Sequence, residues 1–431
     1  MNAFFNFNLL KTTYKKELIG AFSTFSAMVY IIVVHPTILS EAGLPFGAVM
    51  TTTIIITACA TLLMSLLAKL PFAVAPGMGV SAYFTFTVIQ KNHLPISLGL
   101  FVIFLSSLII IVLNIFNIRK KILEEIPDIL IYGITGGVGL FLVAIGLKHI
   151  DIIQVSDATH SFNFKDLLSI PVLLTAFGLA VIYFLEKLGI TFAFILVILT
   201  NWVLALIFNL VPYNGLVALP PSIAPIFCKF SPVGAFSFDF FKAFFSIFLV
   251  TLFDSSAGLI TLKRMLPKEA QHFSMKKALY PDCIGSFIGS FLGTTSLAIH
   301  LESMAGVHSG SRSGFSALCI SGLFLLCLFF YPLASTIPTF ASAPVIMAIG
   351  IMMAKQLKNL KGHAKIDWVV PILAALVMPF SMSLYMGFQV AFIGYTLIQT
   401  ARGKYKSISP AVYSLSSLFF IEGLLRIISS S

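Results

Sequence analysis

Three carboxylic acids stand inside long apolar stretches of this sequence, where ionisable side chains are rare. Asp254 lies in FLVTLFDSSAGLIT, Glu302 lies in IHLES, and Asp282 opens DCIGSFIGS. A carboxyl group inside a membrane is costly, so it usually marks the pathway of a substrate, an ion or a proton. Asp254 and Glu302 are central in their stretches and are the leading candidates for a site. Asp282 lies nearer to one end, where a structural hydrogen bond would explain it equally well.

Histidines offer further proton chemistry near these acids. His300 precedes Glu302 by two residues, so the two would share a face in a strand. His35 ends the first apolar stretch beside Pro36, and His308 follows Glu302. Each histidine is either a site residue or a hydrogen-bonded packing residue. The sequence shows no metal-ligand spacing, and its five cysteines form no CxxC pair, so we expect neither a metal nor another cofactor.

The composition places these groups in a polytopic membrane protein. Of the 431 residues, 58% are hydrophobic and only 10% are charged, whereas a soluble domain has about 25% charged residues. The apolar runs are continuous and of helix length, as in 96–118 and 192–211, unlike the alternating strands of a β-barrel. The N-terminal segment lacks the pattern of a cleavable signal, so we expect the first apolar run to be retained.

A window of about 20 apolar residues, the length that crosses a bilayer, predicts an all-α chain with about 14 transmembrane spans. The predicted spans are 18–39, 47–68, 72–90, 96–118, 127–147, 167–185, 190–211, 240–262, 277–292, 295–310, 314–333, 340–355, 367–383 and 385–400. This assignment puts 22 of the 27 Lys and Arg on the side of both termini and 5 on the other. By the positive-inside rule, both termini are cytoplasmic. The basic charge therefore reflects topology, and nucleic-acid binding is not expected.

An even division into two halves of seven spans would make the second half run inverted relative to the first. The third span of each half is interrupted. PFAVAPGMGVSAYF (71–84) carries two prolines and two glycines, and TTSLAIHLESMAGVHSGSRSG (294–314) carries glycines and many polar residues. Interrupted spans at matching positions indicate the binding site of a transporter. The glycines of GITGGVG (133–139) are instead typical of close helix packing, and no motif favours an enzyme.

Four segments resemble the nucleobase–cation symporter 2 family, and in particular its AzgA-like purine permease branch. They are TFSAMVYIIVVHPTILSEAGL (24–44), LAKLPFAVAPGMGVSAYFTFTV (67–88), LFDSSAGLI (252–260) and DCIGSFIGSFLGTTSLAIHLESMAGVHSGSRSG (282–314). The resemblance implies a 7+7 inverted repeat with short strands in the discontinuous spans 3 and 10. It also implies a core domain of 1–118 and 240–333, a gate domain of 127–211 and 340–400, and a cytoplasmic amphipathic tail, 401–431.

The same resemblance implies import of a nucleobase, with a purine (adenine, guanine or hypoxanthine) expected, by proton symport across a bacterial inner membrane. Glu302 would grip the base, Asp254 would face it, and Asp282 would support the site. Asp254 or Glu302 would carry the proton, with His35 assisting. The other expected contacts with the base are Phe72, Ala73, Ser81, Tyr83, His300 and Leu301. Gly77 and Gly79 would support the site.

Three positions depart from the purine-branch pattern and leave the substrate open. The span 1 motif reads VHP at His35, Ser81 replaces an asparagine, and Thr251 replaces an aspartate three residues before Asp254. A uracil- or xanthine-type symporter is one alternative. An anion carrier of the same fold, for sulfate or bicarbonate, is another, although two acids at the site disfavour it. An embedded enzyme or a scaffold is the alternative from another class, and a homodimer is one option for the assembly.

Overall fold

The computed structural model describes residues 4–155, 160–162, 169–190, 192–212, 215–235, 237–362 and 365–430. Helices dominate these ranges, as the composition predicts. Within them, eight helices are long and apolar enough to cross a membrane: Tyr14–Ser40, Phe46–Ala68, Ile96–Ile115, Asp128–Lys148, Ile170–Lys187, Phe238–Lys263, Gly314–Ser335 and Thr339–Lys361. Many large apolar side chains on these helices are exposed, such as Leu173, Phe177 and Phe184, which suits contact with lipid.

The individual elements follow in chain order. The first part of the chain contains α1 (Tyr14–Met28), α2 (Ile31–Ser40), α3 (Phe46–Leu63), β1 (Val74–Pro76), α4 (Met78–Ala82), α5 (Ile96–Ile115), α6 (Ile118–Glu125), α7 (Asp128–Lys148), β2 (Ile153–Val155), β3 (His160–Phe162), α8 (Ile170–Lys187) and α9 (Ala193–Ile207). The second part contains α10 (Phe238–Met265), α11 (Met275–Ala278), α12 (Tyr280–Phe291), β4 (Leu297–Ile299), α13 (Ser303–His308), α14 (Gly314–Leu326), α15 (Tyr331–Ser335), α16 (Thr339–Ala354), α17 (Val369–Ser381), α18 (Leu384–Ala401) and α19 (Pro410–Ser430).

Every predicted span contains helix, but the six spans outside the eight long helices are shorter, interrupted or less apolar. The count of fourteen crossings and the inverted repeat therefore stay predictions. Residues 167 and 168, where the predicted sixth span begins, and residue 191 in the seventh lie outside the described ranges. The predicted tail forms α19, which packs along α18 with Val412 and Phe419 buried.

Short strands interrupt the third and tenth predicted spans, and this prediction is confirmed. β1 and β4 pair in the antiparallel sense, with Val74 opposite Ile299. Each strand then leads into a helix. α4 starts at Met78 and continues as a wider helical segment to Lys91, and α13 starts at Ser303.

Side-chain hydroxyls supply the hydrogen bonds that so short a strand pair lacks. Thr61 Oγ1 accepts from the Val74 amide and donates to the Val74 carbonyl, at 3.1 Å in each case. Ser286 Oγ accepts from the Leu297 amide at 2.7 Å. Buried backbone polar groups must be paired. Thr61 and Ser286 thus make extended backbone tolerable between helices.

The GITGGVG glycines pack α7 against its neighbours, as predicted. A Cβ atom at any of the four glycines would lie within 2.6 Å of an atom on Pro371, Leu357, Met378 or Gly350. Three of these partners belong to α16 and α17, and Leu357 lies just beyond α16. The motif is therefore a contact surface for helices.

Glu17 ties the start of α1 to the start of α14. Its carboxylate is fully buried and accepts from the Arg312 amide at 2.9 Å and from the Ser313 amide at 3.2 Å. Thr12 and Ser316 donate their hydroxyls to the same group. A carboxylate at a helix N-terminus satisfies free amides and complements the helix dipole. Glu17 is therefore explained by structure alone.

Candidate functional site

A cavity of about 720 Å³ lies where the two strands end. The lining includes the end of β4 and the chain that follows each strand, at 77–79 and 298–302. Helices α7, α9 and α16 also line the cavity, with Ile131, Phe194 and Met352 among their residues. Cavities of this size suit a small molecule. Of the residues predicted for the site, the cavity is lined by Gly77, Gly79, Asp254, His300, Leu301 and Glu302.

Glu302 is held by two neighbours and faces this cavity. The Tyr30 hydroxyl donates to Glu302 Oε1 at 2.6 Å, and His300 Nδ1 lies 3.3 Å from Oε2. The Glu302 side chain is 10% exposed. A carboxylate has about four lone-pair positions, so two remain for a ligand. Glu302 is thus oriented before any ligand arrives.

His300 meets Glu302 through a turn, which corrects the expectation of a shared strand face. β4 ends at Ile299, and Glu302 directly precedes the helix that begins at Ser303. The other ring nitrogen of His300, Nε2, lies 3.2 Å from the carbonyl oxygen of Pro76. Both ring nitrogens therefore face oxygen atoms. Both contacts can be hydrogen bonds at the same time in two cases. Either His300 is protonated on both ring nitrogens, or Nε2 carries the only ring proton and the Glu302 carboxyl group donates its own proton to Nδ1.

Asp254 reaches the same cavity from α10. Its Oδ2 lies close to the backbone of Gly77, where an added Cβ would sit 3.2 Å away. Among the residues that the structure describes, none forms a hydrogen bond with the Asp254 carboxyl group. The absence of a side chain at Gly77 therefore leaves room for this carboxyl group.

Ser81 does not line the cavity but joins a buried polar network behind the strands. Its hydroxyl lies 3.0 Å from His35 Nδ1 and 2.8 Å from Thr295 Oγ1, and it donates to the Gly77 carbonyl at 2.8 Å. His35 Nε2 lies 2.8 Å from Thr294 Oγ1. All four side chains are fully buried. The geometry gives His35 and Ser81 a positioning role between α2, α4 and β4.

Three other predicted contacts also lie outside the cavity lining. Phe72 is fully buried in an apolar cluster with Leu259 and Leu297. Ala73 pairs through its backbone, since its amide donates to Ser303 Oγ at 3.0 Å. Tyr83 is buried among core residues. The direct contacts predicted for Phe72, Ala73, Ser81 and Tyr83 find no support in this arrangement of the chain.

Asp282 forms a buried ion pair with Arg119, away from the cavity. Arg119 Nη1 lies 3.1 Å from Oδ1 and Nη2 lies 2.7 Å from Oδ2, and both side chains are fully buried. This two-pronged geometry fixes α6 against α12. Asp282 therefore supports the fold at one end of α12 and is not among the residues that line the cavity.

Removing one partner of this pair is expected to destabilise the protein strongly. Arg119→Ala leaves a buried carboxylate without its counter-ion, which costs about 3–5 kcal/mol. Thermal unfolding of the purified protein in detergent measures the loss. The double variant Arg119→Met, Asp282→Leu replaces both charges by apolar groups and should recover most of it. A single variant that unfolds at the wild-type temperature would contradict the assignment.

Polar contacts tie the last turn of α7 to neighbouring segments. Asp128, at the first turn of α7, lines the cavity, whereas Lys148 ends the helix. There His149 Nε2 lies 2.8 Å from Glu41 Oε1, and Lys148 Nζ donates to Gln90 Oε1 at 3.1 Å. Gln90 Nε2 also donates to the Glu41 carbonyl at 2.9 Å. These contacts lie outside the cavity lining, so the two ends of α7 differ in their relation to the site.

Two residues with clear roles gave no signal in the sequence: Tyr30, which holds Glu302, and Arg119, which pairs with Asp282 away from the cavity. Tyr30 lies in an apolar run and gave no signal, because aromatic residues are common throughout the chain. The structure interrupts the first long helix between Met28 and Ile31, but no proline or glycine lies at that interruption. The sequence therefore does not reveal it. Arg119 looked like one of several loop charges in IRKK, although only Arg119 among them is fully buried.

Comparisons with known proteins agree with these features. The model of the Permease family matches residues 15–393. The adenine permease AdeP of Escherichia coli (strain K12) is 37% identical over 414 residues, which cover 95% of this chain and 93% of that protein. The guanine/hypoxanthine permease PbuO of Bacillus subtilis (strain 168) is 33% identical over 422 residues, or 96% and 98% of the two chains.

Solved structures show the same fold at low sequence identity. The transmembrane domain of the cyanobacterial bicarbonate transporter BicA aligns with a TM-score of 0.64 at 14% identity, over 86% of this chain and 97% of that one. The structure of SLC26A9 aligns with a TM-score of 0.66 at 15% identity, over 93% and 68%. The apolar helices and these matches identify a multi-pass integral membrane protein. Because the family model covers most of the sequence, this chain belongs to the Permease family, as its resemblance to the nucleobase–cation symporter 2 family implied.

Proposed function

We propose that this protein imports a purine nucleobase (adenine, guanine or hypoxanthine) across the plasma membrane by proton symport. The observation that carries the proposal is the carboxylate of Glu302, held by Tyr30 and His300 at the edge of a small-molecule cavity. Relatives named as adenine and guanine/hypoxanthine permeases support the substrate class.

A nucleobase suits the chemistry of this cavity. The base is planar and neutral, with N–H groups along its edges. The free lone pairs of Glu302 would accept two such groups, and hydrogen bonds to an ionised acceptor are the strong ones. Backbone groups at the strand ends lie at the same cavity, where irregular backbone at membrane depth is tolerated. Ile131, Phe194 and Met352 supply apolar contact opposite the carboxylate.

Asp254 is the proposed carrier of the coupled proton. It lines the cavity, whereas Glu302 is already committed to Tyr30 and His300. A buried carboxyl group without hydrogen-bond donors is more easily kept neutral than one that accepts several. The proton would load onto Asp254 together with the base and leave on the cytoplasmic side. In this scheme Glu302 stays ionised and binds the base.

Alternating access would come from the core (1–118 and 240–333) rocking against the gate (127–211 and 340–400). The cavity lining includes Asp128, Glu186 and Lys355, which the predicted topology places toward the cytoplasm. Together with the polar contacts at the other end of α7, this lining supports assigning the arrangement to an inward-open state. At the interface, a Cβ on Gly79 would lie 2.6 Å from Val138 Cγ1. Such close packing without a side chain suits two surfaces that slide.

The charges around the cavity argue against an anion as substrate, even though bicarbonate and SLC26 transporters share the fold. The lining includes the acids Asp128, Glu186, Asp254 and Glu302. Lys355 is the one lysine among the described residues that line it. A sulfate or bicarbonate ion would meet a net negative field there. Uptake competition with excess sulfate should therefore leave purine uptake unchanged.

A binding panel of adenine, guanine, hypoxanthine, xanthine and uracil tests the substrate class. Purified wild type should bind a purine most tightly. Ser81→Asn should weaken the binding of every base without changing the ranking of their affinities. The larger side chain would push on His35 and the strand pair at a cost of about 1–3 kcal/mol. The double variant His35→Asn, Ser81→Asn makes space and should recover binding. A changed order of bases would show that Ser81 contacts the substrate directly.

A further inference from the structure

Tyr30 stands at the break of the first long helix. α1 ends at Met28 and α2 begins at Ile31, so Tyr30 occupies the junction between them. It is fully buried and lies on the cavity wall. Val29 and Tyr30 keep right-handed helical backbone, so the junction is a local irregularity within one long helix, Tyr14–Ser40. The position of Tyr30 is therefore central to the site.

Tyr30 contacts two different elements of the cavity lining. Its hydroxyl donates to Glu302 Oε1 at 2.6 Å, beside the strand pair. Its ring meets the ring of Phe194 edge to face, with centroids 5.4 Å apart and planes at 76°. Phe194 belongs to α9 and also lines the cavity. One rigid ring thus joins the Glu302 carboxylate to α9.

We propose that Tyr30 is a positioning residue that couples occupancy of Glu302 to the position of α9. This inference rests on the proposed function, since a base that donates to the free lone pairs of Glu302 would pull on the same carboxylate that holds the Tyr30 hydroxyl. A phenol has its hydroxyl fixed in the plane of the ring. Any shift of the hydroxyl therefore turns the ring against Phe194, and the edge-to-face geometry of aromatic pairs is direction-dependent. Binding of a base at Glu302 in this way changes the packing of Tyr30 against Phe194 on α9.

Two substitutions separate the two contacts. Tyr30→Phe removes the hydroxyl and keeps the ring beside Phe194. Phe194→Leu removes the aromatic partner and keeps the hydroxyl on Glu302. Tyr183→Phe is the matched control, because it deletes a tyrosine hydroxyl on the outer face of α8, where the residue is 59% exposed. Adenine, guanine and hypoxanthine binding at a series of pH values, and uptake of the base that wild type binds best into proteoliposomes, are measured for all three variants.

The expected results differ between the variants. Tyr30→Phe should weaken binding about 10-fold or more, because ionised Glu302 loses a hydrogen bond. As the solution is acidified, the variant should lose binding at a higher pH than wild type does. The ionised Glu302 carboxylate has lost a stabilising donor and is therefore protonated more easily. Phe194→Leu should slow transport more than it weakens binding, because leucine keeps an apolar contact in the cavity, and it should not shift the pH profile. Tyr183→Phe should match wild type throughout.

Two results would overturn the inference while leaving the proposed function intact. One is a Tyr30→Phe variant whose affinity and pH profile equal those of wild type. The other is a Phe194→Leu variant that transports at the wild-type rate. Wild type that binds none of the three purines would overturn the proposed function, and this inference would fall with it.

Discussion

Glutamine at position 302 is expected to weaken purine binding about 100-fold or more, because two charge-assisted hydrogen bonds of about 1.5–3 kcal/mol each are lost or weakened. An ionised carboxylate is acceptor-only, so it can take the Tyr30 hydroxyl and the N–H groups of a base together. The amide of Glu302→Gln must point a donor at one of them. Titration of purified wild type and variant with adenine, guanine and hypoxanthine measures the difference.

Glu269→Gln is the matched control for that experiment. Glu269 is half exposed and pairs with Lys11 at the protein surface, at 3.3 Å. A surface ion pair of this kind contributes little, so the control should bind like wild type. Binding and transport by Glu302→Gln that equal wild type at every pH would remove the basis for assigning the substrate grip to this residue.

Asparagine at position 254 is expected to separate binding from proton coupling. The amide keeps the size of the aspartate but cannot take up and release a proton near neutral pH. Asp254→Asn should therefore still bind the base and exchange external for internal substrate. It should lose accumulation driven by a proton gradient. Parallel measurements of exchange and of gradient-driven uptake in proteoliposomes distinguish the two activities.

Asp239→Asn serves as the control on the same helix. Asp239 is at the first turn of α10, is half exposed, and pairs with Lys242 at 3.0 Å. It should behave like wild type in both assays. If Asp254→Asn still concentrates substrate in response to a proton gradient, the proton must travel by another group, and the His300–Glu302 pair becomes the first place to look.

Local sequence signals predicted the architecture around the site. Proline and glycine in 71–84 and the polar run in 294–314 marked both interrupted spans, because few residues can leave a helix at membrane depth. Isolated acids marked Asp254 and Glu302 for a comparable reason, and both line the cavity. Signals of this type are carried by residue identity and survive without knowledge of the tertiary fold.

Contacts that depend on orientation in space could not be predicted in the same way. Ser81 lies one turn beyond Gly77, and its direction toward His35 follows from the packing of α4 against α2. Arg119 belongs to a basic run, yet its partner Asp282 is 163 residues away in sequence. Tyr30 has no local feature that distinguishes it from other buried aromatic residues. Long-range pairing decided all three roles.

Uptake by wild-type protein reconstituted in liposomes is the most direct test of the central claim. Radiolabelled adenine, guanine and hypoxanthine are each supplied outside with an inward proton gradient. Proton symport of a purine predicts that at least one purine accumulates above its external concentration, and that a protonophore abolishes the accumulation. Uptake of none of the three, or accumulation that is the same with and without the gradient, would contradict it.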